Sequence, residues 1–361
     1  MLVARGLDGL LVGWLAVIVW VGFYVVHQLS PSTSVPGLMV IYWTGAVLTA
    51  AHFGLSYHLA YRDGLAAVRK RPLVLGYAPA LLIAVLTVFT LMSLAGGGAA
   101  TQRSTSALIT TVYLLTTWHY IKQAYGVARL GAAYAGVKLT KTEADVLRYG
   151  LYPLWFLGAA QVLVKTANYR LAGFRVGFAL LPGDALPVLR TLALVAAIPI
   201  VVVLTSAARR HHRFPPSGLL APYVAAFLWL GLPTNAALTL LLLAPFHALQ
   251  YLAVGHRAEI ALAEDTEKDL RWWANIFVGA ACGGLLLSRW VPNLLDTHVH
   301  RSGGPLLFAA AFFVFLNLHH YLIDAAIWRS SGELIKAMGR KPGAIAAPAG
   351  TPTGSPALSS T

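Results

Sequence analysis

Ten apolar segments follow one another along the chain, and short polar stretches that carry most of the charged residues separate them. Their apolar residues run continuously instead of alternating, which is typical of membrane helices and not of β-barrel strands. The pattern predicts an all-α polytopic membrane bundle of about ten transmembrane helices. The seventh segment is the shortest, below the roughly 17 residues that a spanning helix needs. The predicted spans are Leu10–Val26, Leu38–Ala60, Leu73–Leu94, Ser106–Val127, Tyr149–Val164, Val188–Ala207, Leu219–Gly231, Ala236–Val254, Trp272–Trp290 and Pro305–Trp328.

Positive charge alternates between the connecting loops. The loops after the even-numbered spans are rich in lysine and arginine, as in Arg62–Arg71, whereas loops such as Gln28–Gly37 and Leu232–Asn235 have no charged residue. The positive-inside rule therefore predicts that both termini are cytoplasmic and that the even-numbered spans run from the outside inward. The first apolar run lacks a small-residue cleavage site, so we expect a retained span and not a signal peptide.

The domain organisation follows from the same pattern. Residues 1–340 form the predicted transmembrane domain. Residues 341–361 consist mainly of Pro, Gly, Ala, Ser and Thr, a composition that predicts a disordered tail. The segment Thr140–Glu143 has the spacing of a capping box and predicts the start of a cytoplasmic helix.

Composition agrees with a membrane protein. Hydrophobic residues make up 58% of the chain and charged residues only 11%, against about 25% charged in soluble domains. The net charge of +14 is accounted for by the loops, so we expect membrane lipids as partners and no nucleic acid. We expect the protein in a bacterial inner (plasma) membrane. A single cysteine, Cys282, excludes an intrachain disulfide framework, and we find no nucleotide-binding or serine-hydrolase motif.

The twelve histidines fall into two groups. Five lie in loops or at a span end, where solvated or interfacial histidines are ordinary: His27, His211, His212, His298 and His300. The other seven all lie on spans two, four, eight and ten or at their inner ends: His52, His58, His119, His247, His256, His319 and His320. A single histidine in a membrane helix is more often a satisfied polar contact than a ligand, so the grouping itself needs an explanation.

Depth supplies that explanation. Counted from the outer start of each predicted span, His52 lies 14 residues in, His119 lies 13, and His247 lies 11, while His319 and His320 lie 14 and 15 residues in. At about 1.5 Å per residue these depths agree within roughly 6 Å. Ionisable groups at membrane depth are costly and are functional candidates by default. The sequence therefore predicts one histidine-lined site within the bilayer.

Further side chains extend this predicted site. His58 and His256 lie nearer the cytoplasm, and Asp324 lies one helical turn beyond His320, so these three are expected as additional ligands or proton-transfer groups. Tyr251 follows His247 by four residues and can orient an imidazole. Lys122 either extends to the headgroups or pairs with an anionic part of a substrate or cofactor. Asp324, Tyr251 and Lys122 are the expected catalytic side chains.

Metal binding is the chemistry that these residues favour. Neutral imidazole is the commonest metal ligand in proteins and suits iron, copper and zinc. Four helices that each offer an imidazole at one level can enclose an ion. A carboxylate such as Asp324 favours a redox-active iron or a pair of metals.

The distribution of histidines over several spans, with the pair His319-His320 on the last, resembles that of membrane-embedded non-haem iron oxygenases. We refer to the fatty-acid desaturase and hydroxylase superfamily and to bacterial carotene-cleaving dioxygenases. The H-x-x-x-H and H-x-x-H-H boxes of desaturases do not occur in the chain, so no residue role is transferred. The resemblance implies iron- and O₂-dependent desaturation, hydroxylation or oxidative cleavage of a lipid or another hydrophobic small molecule.

Two other functions remain open on sequence grounds. Paired histidines at equal depth on facing helices are also what a membrane haem b electron carrier uses. A transporter or structural membrane protein with proton-relaying histidines is the third possibility. For the oxygenase, the acidic stretch Glu259–Asp269 is a candidate docking site for a cytoplasmic electron donor.

Overall fold

The computed structural model describes ten stretches of the chain: residues 7–29, 34–95, 99–164, 169–178, 180–212, 214–231, 236–262, 270–299, 306–328 and 333–339. The tail predicted for residues 341–361 lies outside them. In these stretches the protein is all-α apart from one short β-hairpin, which agrees with the predicted fold class.

Fifteen α-helices and three π-helical turns make up the described fold. The helices are α1 Leu7–Gly9, α2 Leu15–Leu29, α3 Ser34–Tyr61, α4 Leu65–Lys70, α5 Ala78–Leu94, α6 Ala99–Tyr134, α7 Lys141–Tyr149, α8 Tyr152–Leu163, α9 Ala185–Arg210, α10 Ser217–Gly231, α11 Ala236–Leu262, α12 Leu270–Leu285, α13 Val291–His298, α14 Leu307–Ile327 and α15 Glu333–Gly339. The π-helical turns Leu10–Trp14, Leu73–Tyr77 and Leu286–Trp290 join α1 to α2, precede α5, and join α12 to α13.

Six helical runs among the described residues are long and apolar enough to cross a membrane, which makes the chain a multi-pass integral membrane protein. They are Leu7–Val26, Met39–Tyr61, Leu73–Leu94, Ala185–Arg210, Trp272–His298 and Leu307–Ile327. Four predicted spans are not among them. α6 and α11 have 36 and 27 residues, whereas α8 and α10 have only 12 and 15.

Local structure also departs from the prediction in the fifth predicted span. It begins at Tyr149, but α7 ends there and α8 begins at Tyr152, where a proline occupies the first turn. The following loop contains an antiparallel hairpin, β1 Tyr169–Leu171 and β2 Phe174–Val176, which was not predicted. Three-residue strands are too short to give a readable alternation of apolar and polar residues. The predicted capping box is confirmed: Thr140 caps α7, and Glu143 binds back to the Thr140 N–H at 2.9 Å.

Burial separates central from peripheral helices. In an 18-residue apolar window of Leu73–Leu94 and of Ala185–Arg210, only 11% and 22% of the residues are buried, whereas the shares in Met39–Tyr61 and Leu307–Ile327 are 39% and 44%. The two peripheral runs expose apolar side chains that suit a lipid environment. The two central runs are α3 and α14, and both carry histidines of the predicted site.

α3 and α12 pack with their backbones in close approach. A Cβ atom added at Gly54 would overlap the carbonyl of Ala280, and one added at Gly284 would overlap the carbonyl of Ala50. The two pairs are antiparallel, and on each helix the small residues are four apart, as in the small-xxx-small pattern of membrane helix pairs. This crossing fixes α3 next to α12 at the level of His52.

α3, α6, α11 and α14 run in the same direction where they meet. His52 contacts His320 and Ser56 contacts Asp324 with the same sequence separation of 268, which shows that α3 and α14 are parallel. The contacts Gly45–Pro245 and Leu55–Gly255 do the same for α3 and α11, and Tyr113–Phe313 and His119–His320 do so for α6 and α14. Near its start, α14 is held from outside: the buried Asp296 of α13 accepts hydrogen bonds from the N–H groups of Phe308 and Ala309 at 2.9 and 2.8 Å. These N–H groups have no partner within the helix, so the carboxylate acts as a cap.

Candidate metal centre

Four buried histidines converge at the middle of the parallel helices. One ring nitrogen from each lies within 4.8 Å of one from every other member. We call this group the histidine cluster. Its members, one each from α3, α6, α11 and α14, are His52, His119, His247 and His320.

The ring nitrogens of three members point at one another. His320 Nε2 lies 2.8 Å from His52 Nε2 and 3.2 Å from His119 Nε2. Two nitrogens bound to one ion at 2.0–2.1 Å and at angles of 90–110° would be about 2.9–3.4 Å apart. The spacing therefore resembles that of neighbouring ligands of one ion.

The contact between His320 Nδ1 and the Ser56 hydroxyl determines which ring nitrogen of His320 carries the proton. Ser56 donates its one hydroxyl proton to Asp324 Oδ1 at 3.3 Å. The Ser56 oxygen lies 3.0 Å from His320 Nδ1, so Nδ1 carries the proton and donates it to Ser56. His320 Nε2 then has a free lone pair directed into the cluster. Metal-binding histidines are commonly held in this way by an outer hydrogen bond.

Hydrogen bonding alone does not satisfy the cluster. The lone pair of His320 can accept one proton, yet both His52 and His119 face it. Among the described side chains, His52 Nδ1 and both ring nitrogens of His247 are buried and have no hydrogen-bond partner. Each such buried group costs about 1–3 kcal/mol when left unpaired. A bound cation could accept one lone pair from each ring, through Nε2 of His52, His119 and His320 and through one nitrogen of His247.

Asp324 lies directly beside the cluster. Its Oδ2 is 3.4 Å from His320 Nε2 and 3.7 Å from His119 Nε2. Its Oδ1 accepts hydrogen bonds from Ser56 and, at 3.2 Å, from the Tyr251 hydroxyl. One carboxylate oxygen is thus held by α3 and α11, and the other faces the imidazoles as a candidate ligand atom.

A second polar layer lies one helical turn beyond the histidines. Each of its members follows a cluster histidine by four residues, and together they are Ser56, Gln123, Tyr251 and Asp324. Gln123 donates to the His247 carbonyl at 2.8 Å and to Gln250 at 3.2 Å, and Gln250 donates to the Val12 carbonyl. This network joins α6, α11 and the first helical run, Leu7–Val26, and fixes the position of His247 along the bundle axis.

A small cavity of about 30 Å³ lies on the side of the histidines that faces away from this polar layer. All four cluster histidines line it. Its other lining residues are Thr49, Phe53, Tyr120, Ala244, Ala248, Asn317 and Tyr321. Such a volume holds about two water-sized molecules.

The structure does not bring His319 into the cluster. It precedes His320 by one residue and is therefore turned about 100° away on α14. Its Nε2 lies 3.1 Å from the Val74 carbonyl, which can only accept, so Nδ1 accepts from the Tyr57 hydroxyl at 2.9 Å. Both nitrogens are satisfied, and His319 joins α14 to α3 and to the turn before α5.

Three other predicted site residues also lie apart from the histidine cluster. His58 is 41% exposed and pairs with the buried Glu259 at 3.2 Å, an acidic group that Arg62 also contacts. His256 packs against the Trp273 ring. Lys122 places its ammonium group 4.2 Å from the centre of the Trp118 ring.

The remaining predictions concern loops. Glu259, the first acidic residue of the predicted docking stretch, is buried at 1% exposure, and residues 263–269 lie outside the described chain. His212 and His298 are exposed and His211 is half-buried. His300 and the side chain of His27 lie outside the described structure.

Sequence reasoning missed Ser56. A signal for it was present, since Ser56 follows His52 by four residues as Gln123 follows His119 and Tyr251 follows His247. The spacing placed the polar atom on the correct helical face, but only the packing of α14 shows that Ser56 contacts both His320 and Asp324.

Comparison with known proteins gave no match to a family model, to a curated protein or to a solved structure.

Proposed function

We propose that this chain is an integral-membrane metalloenzyme whose histidine cluster holds a metal ion. The observation that carries the proposal is the convergence of four buried imidazoles, from four helices, whose lone pairs lack sufficient protein partners. Neutral histidine is the commonest metal ligand in proteins, and an ion is the simplest partner for inward-facing lone pairs at 2.8 and 3.2 Å.

Iron is the ion that the ligand types favour. Imidazoles together with a carboxylate are a frequent donor set of redox-active non-haem iron, and Asp324 Oδ2 lies 3.4 Å from His320 Nε2. Bound iron would supply O₂-dependent oxidation, by desaturation, hydroxylation or oxidative cleavage. The chain's own contribution would be to orient the ligands: Ser56 holds the tautomer of His320, and Tyr251 holds Asp324.

The substrate we propose is a lipid or another hydrophobic small molecule that arrives laterally from the membrane. The site lies within a bundle whose peripheral helices expose apolar side chains. Burial of the cluster histidines to 6% exposure or less excludes bulk water from the ion. A cytoplasmic electron donor would supply the electrons that O₂ chemistry of this kind consumes.

Haem b is the principal alternative cofactor. Two axial imidazoles on opposite sides of a haem iron, each at about 2 Å, would have nitrogens about 4 Å apart, and the porphyrin has to fit between them. The shortest nitrogen separation is 2.8 Å and the adjacent cavity is about 30 Å³. This geometry favours a bare ion.

We also propose ten membrane crossings with cytoplasmic termini in a bacterial inner membrane. The relative helix directions support this topology. α3, α6, α11 and α14 are parallel, as the prediction for even-numbered spans requires. α10 runs parallel to the first helical run, because Gly9 meets Ser217 and Gly13 meets Ala221 with equal sequence separation. In this topology the short helices α8 and α10 would cross the membrane only together with the residues that flank them.

Elemental analysis and an absorption spectrum of the detergent-purified protein test the proposal. We expect about one or two irons per chain without a haem band. The matched control is the double variant His52→Ala/His320→Ala, which should contain no iron. A haem band would support the electron carrier instead. A metal-free wild-type protein that takes up no iron on reconstitution would support the third function, a transporter or structural protein with hydrogen-bonded histidines.

A further inference from the structure

We infer that the metal centre exchanges a small ligand on one side only, the side facing the N-terminal ends of the four parallel helices. The ligand is a neutral or singly charged molecule of two or three atoms. This inference rests on the proposed function, because it assigns an exchangeable position to the ion that the histidine cluster would hold.

The open side is built from residues one turn before the histidines. Thr49, Ala244 and Asn317 each precede a cluster histidine by three residues, and all three line the cavity. They are only partly buried, in contrast to the histidines themselves. A molecule in this cavity would lie beside Thr49, Ala244 and Asn317 and would contact the four imidazoles.

The opposite side is closed. Ser56, Tyr251 and Asp324 follow the histidines by four residues and are 0%, 2% and 8% exposed. They are joined to one another and to His320 by hydrogen bonds, and none of the three lines the cavity. A ligand on this side would have to break that network.

Size and polarity define the ligand. A cavity of about 30 Å³ accommodates about two water-sized centres. It can therefore hold a small ligand of the ion, whereas the proposed lipid substrate would have to lie next to the cavity and not within it. Its lining residues include no lysine, arginine or carboxylate. The Asn317 amide is already engaged, donating to Phe313 O and accepting from Tyr321. The ion itself would therefore provide most of the attraction, which suits O₂, nitric oxide or azide.

Azide titration of the iron-loaded protein, followed by absorption, tests the inference. Ala244→Leu and Thr49→Leu each add bulk at a position that lines the cavity and leave all four cluster histidines in place. We expect the affinity for azide to be at least ten-fold weaker in both variants. The bound azide is expressed per bound iron, so that a partial loss of iron does not affect the comparison. The matched control is Val47→Leu, which adds bulk at a 40% exposed position of the same helix and should bind azide as the wild type does.

The outcomes separate the two proposals. Unchanged azide affinity in both cavity variants would overturn the one-sided exchange and leave the metal centre intact. Iron-loaded wild-type protein that binds neither azide nor nitric oxide would also overturn it. A wild-type protein that binds no iron would overturn the proposed function and this inference with it.

Discussion

His52 Nε2 and His320 Nε2 lie 2.8 Å apart, although 268 residues separate them in the chain. Because Ser56 holds the proton of His320 on Nδ1, the Nε2 atom presents a lone pair to His52, to His119 and to Asp324. One hydrogen bond can satisfy only one of these contacts. Replacement of any partner should therefore affect the whole cluster.

Alanine at any one of the four cluster histidines should weaken metal binding by about 100-fold or more, since even outer-shell partners of metal ligands are worth 10–100-fold. Metal content after dialysis against a weak chelator measures the effect. His58→Ala and His319→Ala are the controls, because His58 is 41% exposed and His319 makes other hydrogen bonds. Equal metal loss in cluster and control variants would contradict the assignment.

Ser56→Ala removes only the outer partner of His320. We expect metal affinity 10–100-fold lower, with full occupancy restored at high metal concentration. Asp324→Asn should have a larger effect and should also shift the absorption spectrum, since it changes a side chain whose Oδ2 faces the imidazoles. If both variants behaved like wild type in metal titrations, Ser56 and Asp324 would be only packing residues.

Metal removal should lower the stability of the fold. A ligand present at 100 times its Kd stabilises the native state by about 2.7 kcal/mol. We therefore expect the Tm of the purified protein to fall on treatment with a strong chelator and to recover when iron is added. The variant His52→Ala/His320→Ala should show one Tm under all three conditions, and a metal-dependent Tm in that variant would indicate binding elsewhere.

The crossing of α3 and α12 provides a prediction that does not depend on metal. Gly284→Ala places a methyl group against the Ala50 carbonyl, and such overpacking costs about 1–3 kcal/mol. Gly279→Ala on the same helix meets no atom within 4 Å and should be neutral or stabilising by up to about 1 kcal/mol, as expected for alanine in a helix. Thermal unfolding in detergent compares the two, and equal Tm values would exclude the close crossing.

Glu143 should make stability depend on pH. Its hydrogen bond from Arg210 lowers the pKa of this carboxyl below its usual 4.5. A group whose pKa is lower in the folded protein stabilises it above the unfolded-state pKa, and the stabilisation is lost as the pH falls through the folded-state value. Arg210→Gln should therefore raise the pKa of Glu143 and reduce stability at pH 7.

The size of this effect is about 1 kcal/mol or less, because the pair lies at the surface. The difference in Tm between wild type and Arg210→Gln should shrink as the pH is lowered below the Glu143 pKa. Arg209→Gln is the neighbouring charge control. A difference in Tm that stays constant down to strongly acidic pH would show that Arg210 acts through another contact.

The sequence predicted the helical class and the depth of the histidines because both depend on local patterns, namely long apolar runs and a constant rise per residue. It could not choose between His319 and His320. They are adjacent, and the choice depends on how α14 is rotated against α3, which Tyr57 and the Val74 carbonyl fix from other elements.

Span boundaries were predictable only where hydropathy changes sharply. The fifth span was predicted to begin at Tyr149, because the apolar residues continue through the junction at which α7 ends and α8 begins. His58 and His256 were expected to form a second tier of the site because they lie near the inner ends of spans two and eight, beyond His52 and His247. In the fold they contact Glu259 and Trp273 instead, and such long-range neighbours leave no periodic trace in the sequence.

The carboxylate of Asp296 holds the start of α14 by two backbone hydrogen bonds. His320 lies twelve residues beyond the first of them, about 18 Å along the helix axis. The position of this imidazole along the helix axis therefore depends on the hydrogen bonds from Asp296 at the far end of the same helix. A slip by one residue at these hydrogen bonds would move His320 by about 1.5 Å and turn it by about 100°, which would present the wrong side chain to His52.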